Sequence, residues 1–203
     1  MSDREPLELA GLPGPLRWAG TRDSAAEPTP GGLRMRVAAT TDLFCDPAGH
    51  APVLNAPRLL CAAGSHFTLS ARVDLVFQAT YDAGVLLLYV HERAWAKLCC
   101  ELSPQGQPMI VSVVTNGLSD DANAAVLDRP GAFLRVTGLG AAFAFHYSLD
   151  GRAWQLVRYF TLPAPEQAQL GFLVQAPTGT SCQAEFTQIR YTPASVSDIR
   201  SQA

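Results

Sequence analysis

Long hydrophobic runs are nearly missing from this sequence: the longest, Val85 to Val90, falls far short of the about 20 residues a membrane-crossing helix requires. Residues 1–20, opening Met-Ser-Asp-Arg-Glu, hold no apolar stretch of signal-peptide length, so the expected location is cytoplasmic. Charge is also sparse, at 16% of residues with a net charge of -3, and the basic residues are scattered. That leaves no electrostatic footprint for nucleic acid or an anionic membrane, and neither is expected as a partner. Cysteines number five, an odd count, with Cys99 and Cys100 adjacent and no paired zinc-ligand spacing; reduced thiols fit this best. His50, His66, His91 and His146 show no zinc spacing either. No serine sits in a nucleophile elbow and no glycine-rich phosphate loop occurs, so no metal and no cofactor is expected. A sustained helical period and internal repeats are absent as well.

What the chain has in quantity is turn formers and apolar residues: 16 Gly, 15 Pro and 48% hydrophobic content over 203 residues. This mixture suits many strands joined by many turns around one core. Residues 1–32 read as an irregular lead-in with one short strand near Leu16 to Ala19, residues 33–192 as a single β-sandwich, and 193–203 as a frayed tail. From Leu33, apolar Leu33, Met35 and Val37 alternate with Arg34 and Arg36. Phe67, Leu69, Ala71, Val73, Leu75 and Phe77 alternate with Thr68, Ser70, Arg72 and Asp74, so a one-residue slip would bury charge. Ala83 to His91 is apolar on both faces, as in a strand covered on each side. Trp95 to Leu102 alternates again, and further strands are expected at 109–116, 124–127, 133–138, 142–149, 154–162, 169–176 and 182–191. Asp150-Gly151 marks a hairpin, and Pro163 to Gln169 has room for one helical turn. The expected fold is therefore all-β, an antiparallel two-sheet jelly-roll sandwich.

Several short motifs carry a family resemblance. They are Thr41-Asp42-Leu43-Phe44 with Asp46 and Gly49; Tyr81-Asp82-Ala83-Gly84; Trp95-Ala96-Lys97 with Glu101; Asn116-Gly117-Leu118-Ser119-Asp120; and Gly171-Phe172 through Gly179 and Phe186. In this order and spacing, from Leu33 to Tyr191, the chain resembles the concanavalin A-like family of uncharacterised cytosolic proteins related to the fungal regulator of enolase. The resemblance implies a sandwich of the concanavalin A-like lectin/glucanase type, singles out the loops holding Asp46 and Asp82, and points to a regulatory protein partner, a metabolic enzyme. It carries no agreed reaction. One departure stands out: Asp121 occupies the place after Ser-Asp where that family has an aromatic residue.

Two functional readings follow from the residues. In the first, a non-catalytic binding module recognises a glycan or a protein through a concave polar sheet face and its rim loops. Its candidate ligand-binding residues are Asp46, Tyr81, Asp82, Trp95, Lys97, Glu101, Asn116, Ser119, Asp120, Arg135 and Gln175. In the second, a glycosidase-like hydrolase uses Glu101 with a second acid such as Asp120. Lys97, the nearest same-face neighbour of Glu101, is expected to favour the charged carboxylate and so to oppose a general-acid role. Asp120, Asp121 and Asn123 read as an oxygen-rich loop, a pattern that more often makes a plain turn than a calcium site.

Overall fold

The computed structural model describes residues 4–21 and 24–201, and among these the alternating segments become strands. They are β1 (Arg17–Ala19), β2 (Ser24–Thr29), β3 (Gly32–Ala38), β4 (Arg58–Ala62), β5 (His66–Leu75), β6 (Ala83–His91) and β7 (Ala94–Leu102). After them come β8 (Pro108–Asn116), β9 (Leu118–Val126), β10 (Ala132–Leu139), β11 (Phe143–Ser148), β12 (Gln155–Phe160), β13 (Gln169–Gln175) and β14 (Ser181–Thr192). A single 3-10 turn, Pro165–Gln167, falls inside the segment expected to hold one. The strands form two antiparallel sheets of seven, ordered β1-β4-β13-β6-β7-β8-β9 and β12-β11-β10-β5-β14-β3-β2. The fold is the all-β sandwich expected from the alternation.

Side-chain facing explains the layers. Phe67, Leu69, Ala71 and Val73 of β5 are fully buried and meet Leu86, Leu88, Leu98 and Ile110 of the first sheet. Each such large side chain contributes roughly 1.5–3 kcal/mol by leaving water. At Gly84 the sheets approach so closely that a Cβ would lie 2.7 Å from Val73 Cγ1, which leaves room for glycine alone. β6 is apolar on both faces because its outer face is covered too: a second cluster joins Val85, Leu87, Trp95 and Cys99 to Leu43, Cys45 and Ala56 of the 39–57 segment.

Three sequence expectations change, and one turn holds. Residues 24–29, read as part of an irregular lead-in, form the edge strand β2 paired with β3. Asp120, Asp121 and Asn123 lie within a strand, not a loop, because β9 runs unbroken from Leu118 to Val126 against β8. The pleat sends Asp120 and Asp121 to opposite faces, which dissolves the oxygen-rich loop. The Asp150-Gly151 hairpin is found where expected, joining β11 to β12, with the Asp150 carboxylate accepting from the backbone N–H groups of Arg152 and Ala153 at 2.8 and 2.9 Å. Finally, residues after Pro193 lie across the second sheet: Thr68 donates to Ala194 O at 2.8 Å, Ser195 to Gly138 O at 2.6 Å, and His146 Nε2 lies 2.8 Å from Ile199 O.

Candidate functional site

A covering segment builds the site. Residues 39–57 cross the outer face of the first sheet and are tied at both sides of it. Thr41 and Ala176 exchange backbone hydrogen bonds at 3.2 and 3.3 Å, and Ala176 N also donates to Thr41 Oγ1 at 3.0 Å. On the far side Cys45 N donates to Ser119 Oγ at 2.9 Å, and Ser119 N donates back to Cys45 O at 2.8 Å. Between these ties, a cleft of about 260 Å³ opens over β7 and β8. Asp42 and Phe44 of the segment line it, together with Tyr81 and Gln175, Lys97 and Glu101 of β7, Val111 and Val113 of β8, and Asp121 of β9.

Lys97 organises the polar contacts. It is only 2% exposed, with its Nζ donating to Gln175 Oε1 at 3.0 Å, 3.5 Å from Asp42 Oδ1 and 5.6 Å from the Trp95 ring centroid. Burial disfavours its ammonium, but Asp42, Cys99 and Glu101 together outweigh that and hold it above the usual lysine range. Gln175 passes the contact on, its Nε2 donating to Tyr81 O at 3.1 Å. Tyr81 N donates to Leu102 O at 2.8 Å, and these bonds hold Tyr81 at φ 69. A tyrosine in the left-handed region costs about 1 kcal/mol or more, and such strain gathers at functional rims. The side chain it presents at the cleft mouth is 42% exposed.

Glu101 departs from expectation. Burial pushes its carboxyl up to about 7, with Lys97 pulling it down and Asp42 and Asp121 adding to the rise. Desolvation thus outweighs the lysine, which reverses the expectation that Lys97 would keep Glu101 charged. Three carboxyl groups and one ammonium therefore share the cleft.

Of the eleven residues expected at a binding site, the structure brings Tyr81, Lys97, Glu101 and Gln175 together. Trp95 lies beneath them, fully buried, and supports Lys97 rather than facing the opening. Asp82 is fully buried and caps a turn, its Oδ2 accepting from Gln78 N and Ala79 N at 2.9 and 3.0 Å. Asp46 caps another, accepting from Ala48 N at 2.7 Å and contacting His50 Nδ1 at 2.6 Å. Asn116 ends β8 in solvent, and Ser119 clamps the covering segment. Asp120 faces away from the cleft and pairs with Arg158 of the second sheet at 2.8 Å, so it is not placed as second acid to Glu101. Arg135 lies on the outer face of the second sheet. Sequence reasoning missed Asp42, Phe44 and Asp121; the first two stand in the acidic-aromatic motif read there, and the third is the very residue noted as a departure.

The model of the DUF1349 family, described as a protein of unknown function, matches residues 18–194. The chain belongs to the DUF1349 family. A relative, "Regulation of enolase protein 1" of Saccharomyces cerevisiae, is 29% identical over 126 residues. That match spans 62% of this chain and 63% of the yeast protein, just under two thirds of the relative's length. The crystal structure of a functionally unknown protein from Saccharomyces cerevisiae superposes with a TM-score of 0.79 at 24% identity, covering 88% of this chain and 96% of that one. The carbohydrate binding module CBM66 from Bacillus subtilis superposes with a TM-score of 0.52 at 15% identity, covering 86% and 94%. The family resemblance read from the motifs therefore holds, and so does the sandwich. Among the described residues no helix is long and apolar enough to cross a membrane.

Proposed function

We propose that this DUF1349 chain is a non-catalytic binding module whose cleft takes the end of a glycan. The observation that carries the reading is the Lys97–Gln175–Tyr81 chain of hydrogen bonds, which anchors the Tyr81 backbone at a cleft lined by Phe44, Val111 and Val113 as well as by Glu101 and Asp121. Aromatic side chains cover the apolar face of a sugar while carboxylates and amides take its hydroxyls. The cleft is smaller than the roughly 300–1,000 Å³ of sites for drug-sized ligands, which suits a terminal unit better than a long chain. The likeness to a carbohydrate binding module supports the scaffold's capacity for this role. A regulatory outcome on a metabolic enzyme is supported by the name of the yeast relative.

A glycan array followed by calorimetry on the hits tests the reading. Tyr81→Ala and Glu101→Gln are expected to weaken binding by at least about tenfold, the cost of one buried polar or aromatic contact. No saturable binding to any glycan would remove the proposal.

A second reading, a glycosidase-like hydrolase, is favoured by one observation. Glu101, with its carboxyl near 7, resembles a general acid, and Asp42 and Asp121 stand in the same cleft as candidates for its partner. Turnover of any member of a chromogenic glycoside panel, abolished by Glu101→Gln, would establish this reading over the first.

A further inference from the structure

The outer face of the second sheet carries another cavity, of about 460 Å³, separate from the cleft over β7. Arg135 lies in its wall at 6% exposure, in register between Ser70 of β5 and His146 of β11. The Trp154 ring stacks on its guanidinium, 4.3 Å from Cζ to the ring centroid. Its Nε and Nη2 are buried without a hydrogen-bond partner, and no described residue forms an ion pair with it. A buried, unpaired guanidinium is costly, and folded chains ordinarily match it with a carboxylate or another anion.

The surroundings do not supply that anion. Asp150 also lines the cavity but forms no ion pair with Arg135; its Oδ1 accepts from Arg152 N, Ala153 N and the Ser148 hydroxyl, and its Oδ2 is left as an acceptor. Arg152 and Arg190 line the cavity as well, adding positive charge. His146, opposite Arg135 on β11, is neutral at physiological pH, its imidazole pushed down to about 4 by burial, and adds no charge beside the guanidinium. Burial lowers Arg135 itself to about 10, so it stays protonated under the same conditions.

We propose that this cavity is a second binding site, for a small molecule bearing an anionic oxygen group, a carboxylate or a phosphate. The Nε and Nη2 donors of Arg135 form the edge that takes two such oxygens side by side. Arg152 and Arg190 draw the anion in, and Trp154 provides an apolar wall for its carbon skeleton. Because water does not reach the Nε–Nη2 edge, engagement requires a side-chain rotation within the Trp154–Arg135 stack. Trp154 therefore reports on binding.

The full chain, titrated at constant ionic strength with inorganic phosphate and with sodium galacturonate, tests this, with neutral galactose as control. A saturable change in tryptophan fluorescence, together with a shift of the Arg135 Nε–H resonance, is expected for at least one of the two anions. The tighter of them identifies the anionic group. The fluorescence change is expected to vanish in Trp154→Phe, and affinity to fall at least about tenfold in Arg135→Met, as for loss of a charge-assisted pair. Neither anion moving the Arg135 resonance in the unaltered chain would overturn the site even if Arg135→Met failed to fold. So would wild-type affinity in a folded Arg135→Met, or an equal shift of the Arg135 resonance with galactose. Failure here leaves the glycan reading of the first cleft untouched, since the two share no lining residue.

Discussion

Lys97 donates from Nζ to Gln175 Oε1 at 3.0 Å across 78 residues of sequence, joining β7 to the end of β13 inside the cleft. This bond places a buried positive charge where Asp42, Glu101 and Asp121 converge, and the rim at Tyr81 depends on it through Gln175.

Replacing that charge tests its role. Lys97→Met is expected to lose about 2–4 kcal/mol of stability, less than for a fully buried ion pair because Asp42 is partly exposed. Denaturant unfolding measures the loss. The same variant removes the only influence pulling Glu101 down, so its carboxyl should titrate above 7 by NMR. An unchanged Glu101 titration would separate the two groups.

Glu101 makes stability depend on pH in a defined direction. Its carboxyl rises from the ordinary 4.5 to about 7 on folding, so between those values the folded chain binds the extra proton. The contribution is fully present below about 4.5 and is lost as pH climbs through 7, on the order of 3 kcal/mol. His146 works oppositely: its imidazole, pushed down to about 4, gives a contribution that is present above the ordinary 6.5 and lost as pH falls through 4. The difference between wild type and Glu101→Gln isolates the carboxyl. Unfolding midpoints at pH 5 and pH 8 are expected to differ more in wild type than in the variant, with wild type favoured at the lower pH.

Adjacent aspartates should behave differently. Asp120 is 72% exposed and bound to Arg158, a surface pair worth less than about 1 kcal/mol, so Asp120→Ala should change neither stability nor glycan binding appreciably. Asp121→Ala removes a cleft carboxyl and should lower the Glu101 titration point and alter binding. Equal effects of the two substitutions would contradict the strand assignment of β9.

The thiols are predicted to be inert in the native chain. All five cysteines are buried, and burial pushes Cys61 up to about 11 and Cys100 and Cys182 up to about 12. Ellman's reagent at pH 8 should react slowly with the folded protein and rapidly with five thiols after unfolding. Rapid native labelling would mean that the sheets part readily.

The sandwich was legible in the linear chain because strand facing is a local, two-residue rhythm. Phe67, Leu69 and Val73 of β5 must all face one way whatever lies beyond them. By the same rhythm Lys97 and Glu101 share a face. What faces them was not legible, since nothing local tells a side chain which distant segment will cover it. Residues 39–57 folding over the first sheet turned Trp95 from a candidate platform into a buried support, and drew Asp42 and Phe44 into the cleft. The charge state of Glu101 likewise belongs to the tertiary structure: sequence supplies the neighbouring lysine, but only enclosure strips away the water that would otherwise keep the carboxylate charged.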